Sequence, residues 1–215
     1  MGAHLGRILP EFDSTLLLRA DLSRLAPGTA PAEGAYRVLE PGAAATLLSD
    51  LPGIERADVL RRLARADRCV YLELEGQPAF WEWVQLDRTE IPPDALSERP
   101  GERLAYIYGA YTQARFRGQG LFTTGLHWLV DWLRPQGYTH LYSQSAVGNI
   151  VSLLAHFTVG FEVFGESRHI HWQGRRVLRP SRLLATPLGT GCALPASLAP
   201  LSARAQRSVR RALFC

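Results

Sequence analysis

Residues 104–133 read LAYIYGAYTQARFRGQGLFTTGLHWLVDWL, and this stretch joins a strand pattern to a helix pattern. Residues 104–112 are rich in aromatic and β-branched side chains, which are typical of strands. Residues 121–133 repeat apolar side chains at helical spacing, through Leu121, Leu126, Leu129, Val130 and Leu133. Between them, residues 117–120 (Arg-Gly-Gln-Gly) predict a tight turn from the strand into the helix.

This turn has the chemistry of an anion-binding loop. A glycine-rich turn at the start of a helix points free backbone N–H groups and the positive end of the helix dipole at one spot, which suits a phosphate. Gly118 and Gly120 allow close approach of the backbone, and Arg115 and Arg117 can pair with phosphate oxygens. The motif is not a P-loop, because the chain has no lysine, and it lacks the third glycine of a Rossmann fingerprint. An ordinary tight turn would also explain this sequence, so the interpretation as a phosphate-binding loop needs support from a second motif.

Composition narrows the function classes. The chain has 215 residues, 47% of them hydrophobic, which predicts one domain with an ordinary core and short extensions. Its net charge of +4 comes from scattered arginines, which indicates coding bias of the genome rather than a nucleic-acid-binding surface. Its cysteines, Cys69, Cys192 and Cys215, are far apart, so we expect neither a disulfide framework nor a metal site.

The apolar segments predict the cellular location. The N-terminus carries no apolar core of a signal peptide. The longest uncharged run, residues 183–203, is interrupted by prolines and diluted by small residues, which does not fit a membrane helix. We therefore expect a cytoplasmic protein that is not stably inserted in a membrane.

The patterns along the chain divide it into three parts. Residues 1–34 are expected to form an N-terminal arm and linker, residues 35–182 the main domain, and residues 183–215 a tail. In the main domain the order β-α-α-β-β-β-α-β-α-β-β predicts an α/β fold with a mixed sheet. Strands are expected at 36–39, 69–74, 77–86, 104–112, 138–145, 161–172 and 175–178, and helices at 43–51, 55–66, 121–133 and 150–159.

The tail predicts a basic amphipathic helix. Within residues 197–215, one face carries Leu201, Ala205, Val209 and Leu213, with arginines around it. Such a helix fits a membrane or partner surface, or it docks on its own domain or on a twin subunit. We favour docking on protein, and a homodimer is a candidate assembly.

The second motif is NIVSLLAHFTVGF at residues 149–161. Asn149 is a good N-cap for the helix that follows, and the helix ends in Gly-Phe before a strand. Together with YTQARFRGQGLF at residues 111–122, this motif resembles the Gcn5-related N-acetyltransferase (GNAT) superfamily. The resemblance covers about residues 35–180 and implies a GNAT-like mixed central sheet with splayed strands flanked by helices.

The resemblance implies an acyl-CoA-binding catalytic domain that uses acetyl-CoA as co-substrate. The backbone of residues 110–112 would pair with the pantetheine arm, and that strand should splay from the strand at 138–145. The aromatic-Arg-Gly-x-Gly loop would hold the pyrophosphate. We prefer Arg117 as the motif arginine because Phe116 then fills the aromatic slot; in the alternative register Arg115 is the motif arginine. Phe122 stands where the family usually has a small residue. The residues implied to bind the cofactor are Ala110, Tyr111, Thr112, Arg115, Arg117, Gly118, Gln119, Gly120, Leu121, Phe122, Thr123, Asn149 and Ser152.

The family's reaction is direct attack of an amine on the thioester, followed by loss of the thiolate. His156 stands where many members place a tyrosine proton donor, so it would donate the proton unless it is a buried structural histidine. Glu82 lies between two tryptophans on a predicted central strand. If it faces the cleft, these aromatic surroundings would raise its pKa and make it the candidate base. Ser145 would hydrogen-bond the thioester or a water.

The expected function is therefore transfer of an acetyl group from acetyl-CoA to a primary amine of a small molecule. Transfer of a longer acyl chain and a non-catalytic acyl-CoA-binding module are the alternatives. The acceptor would be set by loops around residues 48–56 and 87–102 and by the final hairpin, which carry no recognisable code.

Overall fold

The computed structural model describes residues 11–26, 36–39, 55–92, 95–96, 102–172, 175–188 and 201–214. Their strands form one eight-stranded sheet in the order β2-β3-β4-β5-β6-β1-β7-β8, in which only the β5–β6 pair is parallel. The strands are β1 (Glu11–Asp21), β2 (Tyr36–Leu39), β3 (Arg68–Leu74), β4 (Gln77–Leu86), β5 (Leu104–Thr112), β6 (His140–Ala146), β7 (Glu162–Trp172) and β8 (Arg175–Leu188). The helices are α1 (Arg56–Ala64), α2 (Leu121–Leu133), α3 (Ile150–Val159) and α4 (Ala203–Phe214).

The predicted α/β class with a mixed sheet is confirmed. The bounds of β2, β4, β5, α2 and α3 are those expected from the sequence. The predicted helix at 43–51 and the predicted turn at 173–174 lie outside the described residues. None of the helices in the described part of the chain is both long and apolar enough to cross a membrane.

The helices pack on both faces of the sheet. One face carries the main core, in which α2, α3 and α4 contribute apolar side chains such as Leu129, Leu153 and Val209. The opposite face carries a smaller cluster, in which Val59 and Leu63 of α1 pack with strand side chains. Alternate residues of a strand point to opposite faces, so β4 places Phe80 and Val84 in the main core and Trp81 and Trp83 in the smaller cluster.

The expectation of an N-terminal arm does not hold for residues 11–21. They form β1, which lies inside the sheet and pairs antiparallel with both β6 and β7. Leu16, Leu17 and Leu18 are fully buried. A run of consecutive apolar residues is what a strand needs when both of its faces are covered, and Leu16 and Leu17 pack in clusters on opposite faces.

The tail also belongs to the fold. Strand β8 continues to Leu188 and pairs with β7, so the sheet does not end at residue 182. Helix α4 packs against α3, and the buried carboxylate of Glu166 accepts hydrogen bonds from the Ser202 N–H (2.7 Å) and hydroxyl (2.8 Å) just before α4 begins. Of the tail face, Leu201, Ala205 and Val209 are buried in the main core. Helix α4 thus docks on the chain's own domain, which is one of the alternatives expected from the sequence. The homodimer stays a prediction.

A stability measurement separates a core strand from an arm. Leu16→Ala is expected to lower the free energy of unfolding by about 2–5 kcal/mol, because it removes a fully buried side chain and leaves a cavity. Leu60→Ala is the matched control, since Leu60 is 47% exposed on α1 and should change stability by less than about 0.5 kcal/mol. Equal urea midpoints for the two variants would contradict the placement of β1.

Candidate active site

A cleft opens where β5 and β6 stop pairing. Their parallel register ends at Ile107 and Ser143, although β5 runs on to Thr112 and β6 to Ala146. The two strand ends therefore diverge and leave their inner backbone groups unpaired with each other. The cleft has a volume of about 880 Å³. The predicted splay of these strands is confirmed.

A β-bulge interrupts the pairing of β5 with β4 beside this cleft. In the β4–β5 register Trp81 faces Tyr111 and Trp83 faces Tyr108, so β5 has one residue more than β4 in this interval. Gly109 lies in the bulge with φ of 61°, a conformation that favours glycine. A Cβ at Gly109 would also lie 2.9 Å from Arg62 Nη1, so a side chain there would have to displace the guanidinium.

The predicted anion loop lies at one end of the cleft. Gly120 is the N-cap of α2 with φ of 73°, and no side chain caps the helix. The first helical N–H with a backbone acceptor is that of Thr124, which donates to the Gly120 carbonyl (3.0 Å). The N–H groups of residues 121–123 have no backbone acceptor among the described residues, as is usual for the first turn of a helix. A Cβ built at Gly118 or Gly120 would meet open space, so the loop leaves room for a ligand.

The two arginines of the loop have different surroundings. Arg117 lines the cleft, where its Nε donates to the Thr112 carbonyl (3.1 Å). Arg115 instead donates to Gln77 Oε1 (2.7 Å) and lies 3.7 Å from a Glu75 carboxylate oxygen, so it is held by the β3–β4 turn. Arg117 is therefore the better placed of the two for a ligand in the cleft.

Helix α3 supplies the opposite wall. Its N-cap is Asn149, whose side-chain oxygen accepts from the Ser152 N–H (3.2 Å), as predicted. This cap fixes the entry angle of the helix and brings Asn149, Ser152 and His156 to the cleft.

His156 is buried (1% exposed) and both of its ring nitrogens have partners. Nδ1 lies 2.7 Å from the Ser152 carbonyl oxygen, and Nε2 lies 3.0 Å from the Ser143 hydroxyl. A carbonyl only accepts, so Nδ1 carries the proton and Nε2 accepts from Ser143. Burial lowers the pKa of His156 to about 4, which keeps the ring neutral. This tautomer conflicts with the prediction that His156 donates the proton, because its N–H is bound to the helix backbone.

Glu82 lines the cleft and is completely buried. On β4 it shares a face with Phe80 and Val84 of the main core, so its neighbours Trp81 and Trp83 point to the other side of the sheet. Neither carboxylate oxygen has a hydrogen-bond partner among the described residues. Burial alone raises the pKa of Glu82 to about 8. The prediction that Glu82 faces the cleft with a raised pKa is consistent with this placement.

Two serines of β6 line the cleft on the same face of the sheet. Ser145, predicted as a thioester or water contact, is buried and its hydroxyl has no partner within the described part of the chain. Ser143, which the sequence analysis does not single out, lies at the point where the strands diverge. Its only sequence signal is the alternation of Leu141, Ser143 and Ser145 on one face, which does not by itself indicate a site.

The cleft therefore brings together most of the residues that the sequence analysis assigns to the site. Glu82, Ser145 and His156 line it, as do all the implied cofactor residues except Arg115 and Gln119. In the described ranges no three His, Cys, Asp or Glu side chains are grouped closely enough to bind a metal ion.

Comparisons with known proteins bear on the fold. No protein-family model matches the chain, and no curated protein matches it. Among solved structures, a protein assigned to the GNAT family of acetyltransferases from Novosphingobium aromaticivorans aligns over 74% of this chain and 63% of its own, with a TM-score of 0.51 and 16% identity. A Drosophila protein aligns over 75% of this chain and 51% of its own, with a TM-score of 0.50 and 8% identity.

A third similar structure, an acetyltransferase from the GNAT family of Colwellia psychrerythraea, has a TM-score of 0.48 and 14% identity over 75% of this chain and 55% of its own. This chain thus spans between half and two-thirds of the length of these neighbours. At such low identity the likeness concerns the fold and not the activity. The sheet with its diverging β5 and β6, and the alignment with a GNAT acetyltransferase, show that this chain has the GNAT fold.

Proposed function

We propose that this protein transfers an acetyl group from acetyl-CoA to a primary amine of a small molecule by direct attack on the thioester. The observation that carries the proposal is the cleft between β5 and β6 with a helix N-terminus and two open glycines at its end. A diverging strand offers unpaired backbone groups to an extended amide-containing chain, and the free N–H groups of the loop suit a pyrophosphate.

The end of β5 and the glycine loop would each bind a different part of the cofactor. The backbone of residues 110–112 would pair with the pantetheine amides, since these residues lie beyond the last pair of the β5–β6 register. The N–H groups from Gly118 to Thr123 would hold the pyrophosphate, and Arg117 would add a charge-assisted contact. Arg115 would join them only by leaving its contacts with Gln77 and Glu75.

The side chains near the point where β5 and β6 diverge favour a short acyl group. Phe122 lines the cleft between Phe80 and His156, with ring centroids 6.1 Å and 5.3 Å away, and so occupies space that a long chain would need. The buried carboxyl group of Glu82, neither of whose oxygens has a partner among the described residues, favours an enzyme over a module that only binds acyl-CoA, because burying such a group without a partner is costly unless it has a role.

Release of free CoA thiol tests the function. Acetyl-CoA is incubated with a panel of primary amines that covers amino acids, amino sugars and arylalkylamines, and octanoyl-CoA is run in parallel. We expect amine-dependent thiol release that is faster with acetyl-CoA. Binding of acetyl-CoA without amine-dependent release across the panel would favour the non-catalytic module, and faster release from octanoyl-CoA would favour the longer-chain enzyme.

The cytoplasmic location stays a prediction.

The loop makes a specific prediction for cofactor binding. Gly120→Asp adds a negative charge beside the proposed pyrophosphate site, so it is expected to weaken acetyl-CoA binding by more than about 1.4 kcal/mol, or tenfold, in calorimetry. Gly120→Asn is the matched control, because it places a side chain of the same shape at the same left-handed φ without the charge. Equal affinity of the two variants would mean that charge at this loop does not matter and would contradict a phosphate site.

A further inference from the structure

We propose that Glu82 protonates the departing thiolate, and that Ser143, hydrogen-bonded to His156, takes the proton from the attacking amine. This inference rests on the proposed acetyl transfer and assigns its proton transfers. It reverses the roles expected from the sequence and adds Ser143 as a catalytic residue.

The hydrogen bonds of His156 set the direction of the first transfer. The Ser152 carbonyl (2.7 Å) holds the proton on Nδ1, and this leaves a lone pair on Nε2. Nε2 therefore accepts from the Ser143 hydroxyl (3.0 Å), and the oxygen lone pairs of Ser143 remain available to a ligand in the cleft. A histidine with a free lone pair can take the hydroxyl proton of a serine that is hydrogen-bonded to it, and the Ser143 oxygen can then take a proton from a group bound in the cleft.

Packing holds this arrangement in place. The imidazole contacts Phe122 and Phe161 edge to face, with ring centroids 5.3 Å and 4.8 Å away. It cannot turn to offer its N–H to the cleft without displacing these rings and breaking the bond to the helix carbonyl. His156 thus acts through Ser143 rather than on the substrate.

The surroundings of Glu82 set the direction of the second transfer. Its carboxyl group is fully buried, and neither of its oxygens has a donor within the described ranges. An ionised carboxylate is strongly disfavoured in such a place, so the group holds its proton. A protonated carboxyl group that lines the cleft is a donor for an anion that forms there.

The two groups flank the point where the cleft begins. Glu82 lies on β4 and Ser143 on β6, the two neighbours of β5, and both face the side of the sheet that α2 and α3 cover. Two strand spacings separate their backbones by roughly 10 Å across the sheet, so the two groups approach the cleft from opposite sides.

The proposed acetyl transfer conserves atoms, electrons and protons. The lone pair of the neutral amine forms the N–C bond, and the C–S electron pair leaves with sulfur. One amine proton goes to Ser143 Oγ while the Ser143 proton goes to His156 Nε2. The thiolate takes the Glu82 proton. The enzyme is left with an imidazolium and a carboxylate, and a proton lost to solvent from His156 and one gained from solvent by Glu82 restore it.

In the part of the chain that the structure describes, few other titratable groups interact with Glu82 and His156. Tyr36 of β2 and Cys69 of β3 interact electrostatically with Glu82, and burial raises the pKa values of both, so both stay neutral near pH 7. On α3 and the adjoining strands, the described partners of His156 are Ser143, Ser152 and aromatic rings, none of them charged. We therefore expect the protonation of Glu82 and of His156 to depend on pH without interference from the titration of neighbouring groups.

Spectroscopy tests the protonation states without any need for turnover. Nitrogen-15 NMR of the histidine-labelled full chain, assigned with His156→Gln, is expected to show a protonated Nδ1 and a bare Nε2 near pH 7, and Ser143→Ala should shift the Nε2 resonance. Infrared difference spectra of wild type against Glu82→Gln should show a protonated carboxyl band that disappears as the pH passes about 8. A protonated Nε2, or an ionised Glu82 near pH 7, would overturn the proposal.

Kinetics test the direction of the transfers with acetyl-CoA and the best amine of the panel. The ratio of wild-type kcat to that of Glu82→Gln should fall as pH rises through about 8, because the acid loses its proton, and this ratio cancels the amine's own titration. A rising ratio would mean that Glu82 is a base and would overturn the proposal. Ser143→Ala should lower kcat by about tenfold or more at unchanged affinity for acetyl-CoA.

Controls separate this inference from the proposed function. Ser208→Ala removes a buried hydroxyl on α4, outside the cleft, and should leave kcat unchanged. If wild type neither binds acetyl-CoA nor releases thiol, the proposed function fails. If wild type turns over and Ser143→Ala matches it, only the proton relay fails.

Discussion

Glu82→Gln is expected to make the folded protein more stable at alkaline pH, by about 5 kcal/mol above pH 8, and to change stability little below pH 4.5. Burial raises the pKa of Glu82 from 4.5 to about 8 in the folded state, so the folded chain holds a proton that the unfolded chain has lost. The contribution of Glu82 to stability is thus fully present below the unfolded pKa and is lost as pH rises through the folded one. Glutamine has the shape of the neutral acid but cannot ionise.

Urea unfolding of wild type and Glu82→Gln across this pH range checks the prediction. The difference between the two free energies isolates Glu82, because Tyr36 and Cys69, the described groups that interact with it, stay neutral in the folded state near pH 7. Glu73→Gln is the matched control for the loss of a strand carboxylate, since Glu73 is partly exposed on the neighbouring strand β3. A flat difference for Glu82→Gln would mean that water reaches the carboxylate and that its pKa is ordinary.

His156 is expected to have the opposite effect on the free energy of unfolding: at lower pH, its contribution makes stability rise with pH. Burial lowers its pKa from 6.5 to about 4, so its contribution to stability is present above the unfolded pKa and is lost as pH falls through the folded one. Between about pH 4.5 and 6.5 the two slopes have opposite sign and similar size, so they nearly cancel. We expect the stability of wild type to decline on either side of this interval.

Local signals explain why the glycine loop and the capped helix that line the cleft could be predicted. Gly118 and Gly120 mark a turn whose backbone needs glycine, and Asn149 caps α3 through its own side chain. Each signal and the structure it sets lie within a few residues of one another. The bounds of α2 and α3 consequently agree with the sequence.

The position of β1 depends on contacts that are distant in sequence. Leu16, Leu17 and Leu18 indicate an apolar segment, but only pairing with β6 and β7, more than a hundred residues away, makes it a central strand. The same holds for Ser143, whose importance comes from the register at which β5 and β6 part. Strand order and register are set by the whole sheet, so neither could be obtained from patterns along the chain.

The pKa values of the site show a related limit. The prediction for Glu82 invoked the flanking tryptophans, yet these lie on the opposite face, and burial in the main core raises its pKa instead. For His156 the decisive partner is the Ser152 carbonyl of its own helix, which fixes the tautomer. Residue type suggested which groups take part in the chemistry, whereas hydrogen-bond partners and burial determine which of them hold protons.

His156→Gln is expected to lower kcat by roughly 10²-fold or more while leaving the affinity for acetyl-CoA nearly unchanged. Glutamine can still hydrogen-bond to Ser143, but its amide cannot take up a proton, so the relay behind Ser143 is lost. Thermal unfolding of the variant is measured alongside kcat and calorimetric affinity, because His156 is buried. His127→Gln is the matched control, since His127 lies on α2 outside the cleft and should leave all three quantities unchanged.

A second variant distinguishes the two roles of His156. Tyrosine is a proton donor at neutral pH and a poor acceptor, because its ordinary pKa is about 10. His156→Tyr should therefore be as slow as His156→Gln if the histidine accepts a proton through Ser143. Recovery of rate in His156→Tyr would instead support the donor role expected from the resemblance, and it would mean that Phe122 and Phe161 yield enough for a larger ring to reach the thiolate. Wild-type kcat in His156→Gln would leave a structural histidine that only supports the wall of the cleft.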